Sequence, residues 1–293
     1  MDRYQKVLQE SQVPVDYDFI KEEIKKISEK IPELRTKEVF ERIFNCIDLT
    51  TLNTLDSQDS VTAFIQRVND FDNEYPQYPN VAAVCVFSNF SGLVRSVLEV
   101  SGVKIAVVAG GFPSGQTFTA VKVADAGLAV SEGCDEVDVV MNLGMLRDGN
   151  YEELCDELIE VKHSIKDAHM KVIIESGALR SAEDIRNASI LAMYSDADFI
   201  KTSTGKVYEG ASPEAAYVMC RCIKEYYEKT GRKVGFKAAG GVRSSEEALL
   251  YYAIVKEVLG DEWLTNELFR IGASSLANSI LAEMLEEEEV KYF

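Results

Sequence analysis

The sequence predicts an α/β protein, a single closed (β/α)8 barrel with an N-terminal helical extension, and three observations carry that prediction. Short, nearly continuous apolar runs alternate with helical patterns, as in a parallel sheet covered on its outer side. The alternation occurs eight times in about 250 of the 293 residues, the size of a closed barrel. No Gly-x-Gly-x-x-Gly turn follows the first apolar run, which weighs against an open doubly wound sheet.

Residues 1–40 are the extension. Ile20, Ile24, Ile27 and Ile31 recur at helical spacing and give one apolar stripe on a helix that Pro32 is expected to end. A second short helix from Thr36 carries Val39, Phe40 and Ile43 on one face. Such helices can serve as an oligomer contact or as a lid on the bottom of a barrel; packing on their own domain is the expectation here. Residues 41–293 then form the barrel, with no linker or low-complexity segment inside it.

The strand-like runs are Phe44–Leu49, Val81–Val86, Ile105–Val108, Val137–Met141, Val172–Glu175, Phe199–Lys201, Val234–Lys237 and Leu268–Ile271. Between them lie helical patterns such as Val61/Phe64/Ile65/Val68 and Leu154/Leu158/Val161/Ile165. Ser212-Pro213-Glu214 reads as a helix start with proline in the first turn, and Ser244-Ser-Glu-Glu247 as a capping box.

Composition narrows the function. The formal charge of −18 repels nucleic acid and anionic membrane, so neither is an expected partner. No apolar run approaches a membrane span, and the start of the chain has no signal-peptide core. Six cysteines are scattered without metal or disulfide spacing, as in a cytoplasmic protein with reduced thiols. The only histidines, His163 and His169, fall in or just after the fourth helical pattern, away from any strand end. A zinc-dependent aldolase would want several histidines converging on the site, so no metal is expected.

In a (β/α)8 barrel the active site lies at the carboxyl ends of the strands. Lys201 ends the sixth strand, in Asp198-Phe-Ile-Lys-Thr-Ser-Thr-Gly-Lys206, and Lys237 ends the seventh, in Val234-Gly-Phe-Lys-Ala-Ala-Gly-Gly-Val-Arg243. A single lysine at a strand end can simply snorkel to the surface. Two on neighbouring parallel strands have their strand ends about 5 Å apart. Their ammonium groups repel and burial adds to the penalty, so one is expected to be neutral near pH 7, as a Schiff-base amine requires. Asp138, inside Glu136-Val-Asp-Val-Val140, is either a structural ion pair to these lysines or a general acid/base acting through water, and the two roles are compatible. Gly240-Gly241 and Ser274-Ser275 each open a helix in this reading, where backbone N–H groups can bind an anion; with Thr204, Gly205 and Lys206 they mark a phosphorylated substrate. Asp48, Thr50 and Cys85 are expected to stand behind the reacting groups.

These residues carry a resemblance. Ile47-Asp-Leu-Thr-Thr-Leu52, Glu136–Val140, Lys171-Val-Ile-Ile-Glu175, Phe199–Lys206, Gly235–Arg243 and Arg270–Ser275 together resemble the deoxyribose-phosphate aldolases (the DeoC family), class I aldolases on a TIM barrel. The resemblance covers nearly all of residues 43–282, and Ala238 stands where the family pattern often has proline. It implies a reversible cleavage of 2-deoxy-D-ribose 5-phosphate to acetaldehyde and D-glyceraldehyde 3-phosphate, a step of deoxyribose phosphate catabolism. It places the Schiff base on Lys201, with Lys237 lowering its pKa and Asp138 in the proton relay. No cofactor is implied; the partners are phosphosugar and aldehyde substrates, with a homodimer as a candidate assembly. Some members have a C-terminal tail whose tyrosine reaches the site; here the tail ends Val290-Lys-Tyr-Phe293 after an acidic helix. A related lysine aldolase with another phosphosugar donor, and a non-catalytic phosphosugar-binding barrel, are the competing readings.

Overall fold

Eight parallel strands pair in sequence order and the eighth closes onto the first. The computed structural model describes residues 3–293; the chain start at Met1-Asp2 lies outside them. The strands are β1 Ile47–Thr50, β2 Ala83–Phe87, β3 Lys104–Ala109, β4 Glu136–Val140, β5 His169–Ile173, β6 Phe199–Lys201, β7 Gly235–Ala239 and β8 Phe269–Ala273. In order along the chain, the helices are α1 Arg3–Glu10, α2 Tyr17–Ser28, α3 Ile31–Leu34, α4 Lys37–Asn45, α5 Gln58–Glu74, α6 Ser91–Val97 and α7 Thr119–Ser131. They continue with α8 Leu143–Asp148, α9 Tyr151–Ile165, α10 Ala182–Tyr194, α11 Pro213–Thr230, α12 Ser245–Leu259 and α13 Leu276–Leu285. Among the described residues, no helix is long and apolar enough to cross a membrane.

Strand side chains alternate between two cores. The outward set, including Val84, Val107, Val139, Val172, Ile200 and Phe236, is buried in one large cluster with the helices. The inward set splits by chemistry. Ala83, Cys85, Ala106 and Val108 on β2 and β3, with Leu52, form a separate small apolar cluster. Opposite them the inner wall is charged, and Asp48, Glu136, Asp138, Lys171, Lys201, Lys237 and Arg270 are all buried there.

The N-terminal helices lie on the outer ring. α1 packs on α9 and α10, α2 on α11 and α12, α3 on α12, and α4 on α13. The Asp16 carboxylate accepts from the Phe19 N–H at 2.8 Å and so caps α2, and the Thr36 hydroxyl caps α4. Two details differ from the expectation. Pro32 does not end the isoleucine helix: α2 stops at Ser28, and Pro32 lies in the first turn of α3, where its missing N–H costs nothing. α4 runs on to Asn45, across residues 40 and 41, so Phe44 is helical and stacks on Phe71 instead of opening β1. The second shift arises because an apolar run reads alike as buried strand or buried helix turn until its neighbours are placed.

Candidate active site

The register sets the chemistry. Lys201 on β6 stands directly opposite Lys237 on β7, Lys237 opposite Arg270 on β8, and Asp138 on β4 opposite Lys171 on β5. Because these positions share one face of the sheet, every one of them points into the barrel. The Nζ atoms of Lys201 and Lys237 both donate to Oδ2 of Asp138, at 2.7 and 2.8 Å. Lys237 also donates to Oδ2 of Asp48, whose Oδ1 accepts from Arg270 at 2.7 Å. Arg270 in turn holds Glu136 through both terminal nitrogens, at 2.9 and 3.0 Å, and Lys171 donates to the same carboxylate.

Four cations thus meet three carboxylates in a space closed to water: Lys171, Lys201, Lys237 and Arg270 against Asp48, Glu136 and Asp138. The cation in excess can be relieved by the loss of one proton. Burial pushes the Lys201 ammonium down; Asp138 works against that and Lys237 adds to it, leaving Lys201 below the ordinary lysine value. Burial acts on Lys237 in the same sense, but Asp138 and Asp48 together more than reverse it, and Lys237 ends above the ordinary value. Burial would raise Asp138, yet Lys201, Lys237 and Lys171 outweigh it and hold the carboxyl well below the usual range. Burial pushes the Cys85 thiol up, so it faces the amines as a neutral group.

Lys201 is also the amine with access. It lines a cavity of about 250 Å³ at the carboxyl ends of the strands, whereas Lys237, Asp138, Asp48 and Cys85 lie beneath it. The cavity wall contains Thr50, Thr204, Gly205, Lys206, Gly240, Gly241, Ser274 and Ser275 from the expected set. It also contains Leu52, Asn53 and Arg243, for which the sequence reading assigned no role. Glycines let the loops after β6 and β7 meet here. A Cβ at Gly210 would sit 2.0 Å from the Gly240 carbonyl oxygen, and Gly240 and Gly241 have φ of 87° and 84°, which disfavour any side chain.

Three expectations need correction in detail. Ser275 directly precedes α13, but Gly240-Gly241 do not open a helix: α12 begins at Ser245, capped by Ser244, and the glycines form the turn before it. β5 ends at Ile173, so Glu175 lies beyond the strand at φ 48°, where it accepts from the N–H and hydroxyl of Thr204. His169 does not trail a helix into solvent; it opens β5 at the opposite end of the barrel, with Nδ1 3.7 Å from Glu136. The C-terminal tail turns away from the site. Asn278 accepts from the N–H groups of Tyr292 and Phe293, the Tyr292 hydroxyl donates to the Arg67 carbonyl, and both rings pack on Phe71.

Sequence reasoning passed over Glu136, Lys171 and Arg270 as site residues. The signal was available, since each falls at an inward position of its strand at a period of two, in step with Asp138 or Lys237. The sequence reading named them only within the motifs that carry the resemblance and gave them no role.

The DeoC/LacD family aldolase profile matches residues 43–281. The deoxyribose-phosphate aldolases of Mus musculus and Homo sapiens are similar at 41% and 40% identity over 249 residues, covering 80% of this chain and 77% of each of theirs. A solved structure of an aldolase designated QR15 superposes with a TM-score of 0.67 at 29% identity, over 83% of this chain and 96% of its own. With a family match over most of its length and relatives at 40% and 41% identity, the chain belongs to the DeoC/LacD family of aldolases.

Proposed function

We propose that the protein is a class I aldolase that cleaves 2-deoxy-D-ribose 5-phosphate reversibly to acetaldehyde and D-glyceraldehyde 3-phosphate, through a Schiff base on Lys201. The observation that carries this reading is a buried lysine of lowered pKa opening into a cavity, beside a second lysine that stays charged. The names of the mouse and human relatives support the substrate.

The neutral Lys201 amine attacks the C1 aldehyde, and loss of water from the adduct leaves an iminium. As the C3 hydroxyl gives up its proton, the C2–C3 bond breaks and its electrons pass to the iminium. Glyceraldehyde 3-phosphate departs and an enamine remains. Protonation at C2 and hydrolysis release acetaldehyde and restore the amine. Lys237 keeps Lys201 neutral by charge repulsion, and Asp138 supplies a place for the travelling proton. Its Oδ1 makes no hydrogen bond and lies 3.5 Å from the Lys171 Nζ, so the carboxylate keeps a lone pair free to take a proton. The substrate phosphate is bound by the N–H groups after β7 and at the start of α13, with Lys206 and Arg243 at the rim. The six buried free cysteines fit a reducing, cytoplasmic setting, and a homodimer is the assembly we expect.

The test is chemical trapping. Acetaldehyde and borohydride should leave a reduced two-carbon adduct on Lys201, located by peptide mass analysis. An unmodified Lys201 under conditions of turnover removes the mechanism.

A further inference from the structure

We infer that Glu136 and Arg270, which do not line the substrate cavity, are positioning residues for the reaction: they hold Asp48 and Lys237 in place and set the charge around the Lys201 amine. This deepens the reading of Lys201 as the Schiff-base amine and rests on it.

The connection is continuous. Glu136 grips the Arg270 guanidinium through two oxygens, Arg270 reaches Oδ1 of Asp48, and Asp48 holds Lys237 through its other oxygen. Lys237 then meets Lys201 at a single oxygen of Asp138. Arg270 is 1% exposed and Glu136 1%, so neither charge is quenched by water. A structural pair of this kind is no more stabilising than apolar residues of the same volume, so the chemistry of the site is the better reason for its presence. Glu136 faces away from the substrate: it lines a cavity of about 390 Å³ at the other end of the barrel, with Lys104, Asp135, Asp167 and His169.

Six of the other seven strands place an ionisable group in the buried cluster around Lys201. Asp48 comes from β1, Cys85 from β2, Asp138 and Glu136 from β4, Lys171 from β5, Lys237 from β7 and Arg270 from β8. β3 contributes only Ala106 and Val108. With four cations against three carboxylates, neutralising either member of the floor pair changes the balance in a known direction. Removing Glu136's charge leaves more uncompensated positive charge, so Lys201 gives up its proton more readily. Removing Arg270's charge does the reverse.

The experiment measures kcat/KM for deoxyribose 5-phosphate against pH, in the full chain, for Glu136→Gln, Arg270→Met, the double variant and Arg270→Lys. Glu136→Gln should move the acid limb to lower pH by about one unit, and Arg270→Met to higher pH by a similar amount. The double variant should return close to the original profile, and Arg270→Lys, which keeps the charge, should lose rate without moving the limb. Borohydride trapping of the acetaldehyde adduct is run on each protein. If the unaltered protein traps no adduct on Lys201, the Schiff-base reading fails and this inference with it. If it traps normally and the single variants shift together or not at all, only the role of Glu136 and Arg270 is overturned. Should Arg270→Met not fold, Glu136→Gln and Arg270→Lys decide by the same two criteria.

Discussion

Lys201 and Lys237 share one oxygen of Asp138, 2.7 and 2.8 Å away, and the two lysines nevertheless shift in opposite directions, Lys201 below and Lys237 above the ordinary lysine value. The difference lies in the second carboxylate. Asp48 accepts from Lys237, while no such contact joins it to Lys201. A shared anion cannot neutralise two cations, so the lysine that has a further partner is the one held above the ordinary value.

Lys237→Leu removes the repulsion and leaves Asp138 to Lys201 and the more distant Lys171, 3.5 Å away. Lys201 is then held protonated, and the acid limb of the pH–rate profile should move to higher pH. At pH 7, kcat/KM should fall about a hundredfold, with phosphate affinity changed far less. An unmoved pH profile would contradict the assigned role of Lys237.

Gly210→Ala places a methyl group against the Gly240 carbonyl and forces the loops after β6 and β7 apart. Those loops carry Thr204, Gly205, Gly240 and Gly241, so KM for deoxyribose 5-phosphate should rise about tenfold, as for one lost hydrogen bond to a charged group. Cleavage of unphosphorylated deoxyribose should change much less. Equal losses for the two substrates would move the phosphate site elsewhere.

Tyr292→Phe deletes the hydroxyl that donates to the Arg67 carbonyl and keeps the ring on Phe71. Because the tail lies away from the cavity, kcat should stay within about twofold and stability should fall by about 0.5 kcal/mol. A fall in kcat of an order of magnitude would bring this tyrosine into the site.

Acid should unfold the protein through its charged interior. Asp48, Glu136 and Asp138 are each buried, which raises a carboxyl, but their lysine and arginine partners outweigh that and hold all three below ordinary values. Carboxyls depressed in the fold contribute stability above the unfolded pKa, near pH 4, and lose it as pH falls towards the folded one. The unfolded chain then binds up to three more protons here, a slope of up to about 4 kcal/mol per pH unit. Urea unfolding between pH 5 and 3 measures it, and a flat profile would mean these carboxylates are not ionised in the folded state.

The eight-fold alternation, the parallel sheet and the two strand lysines were legible in the chain itself, because burial on both faces demands apolar runs and a lysine among them is conspicuous; that Lys237 lies in the middle of β7, where it was expected to end the strand, was not. So was the glycine-rich mouth, since only glycine adopts the turns at 240 and 241 freely. What the chain could not disclose is which charges meet. Lys171, Glu136 and Arg270 are single charges within separate short runs until the barrel closes and points them at one another from strands up to 134 residues apart. Strand ends such as those at Phe44 and Glu175 were likewise settled by packing. Periodicity is a local property written in every turn of the backbone, whereas a buried ion network exists only when distant strands are brought into register, and that register decides which lysine is shifted down and which up.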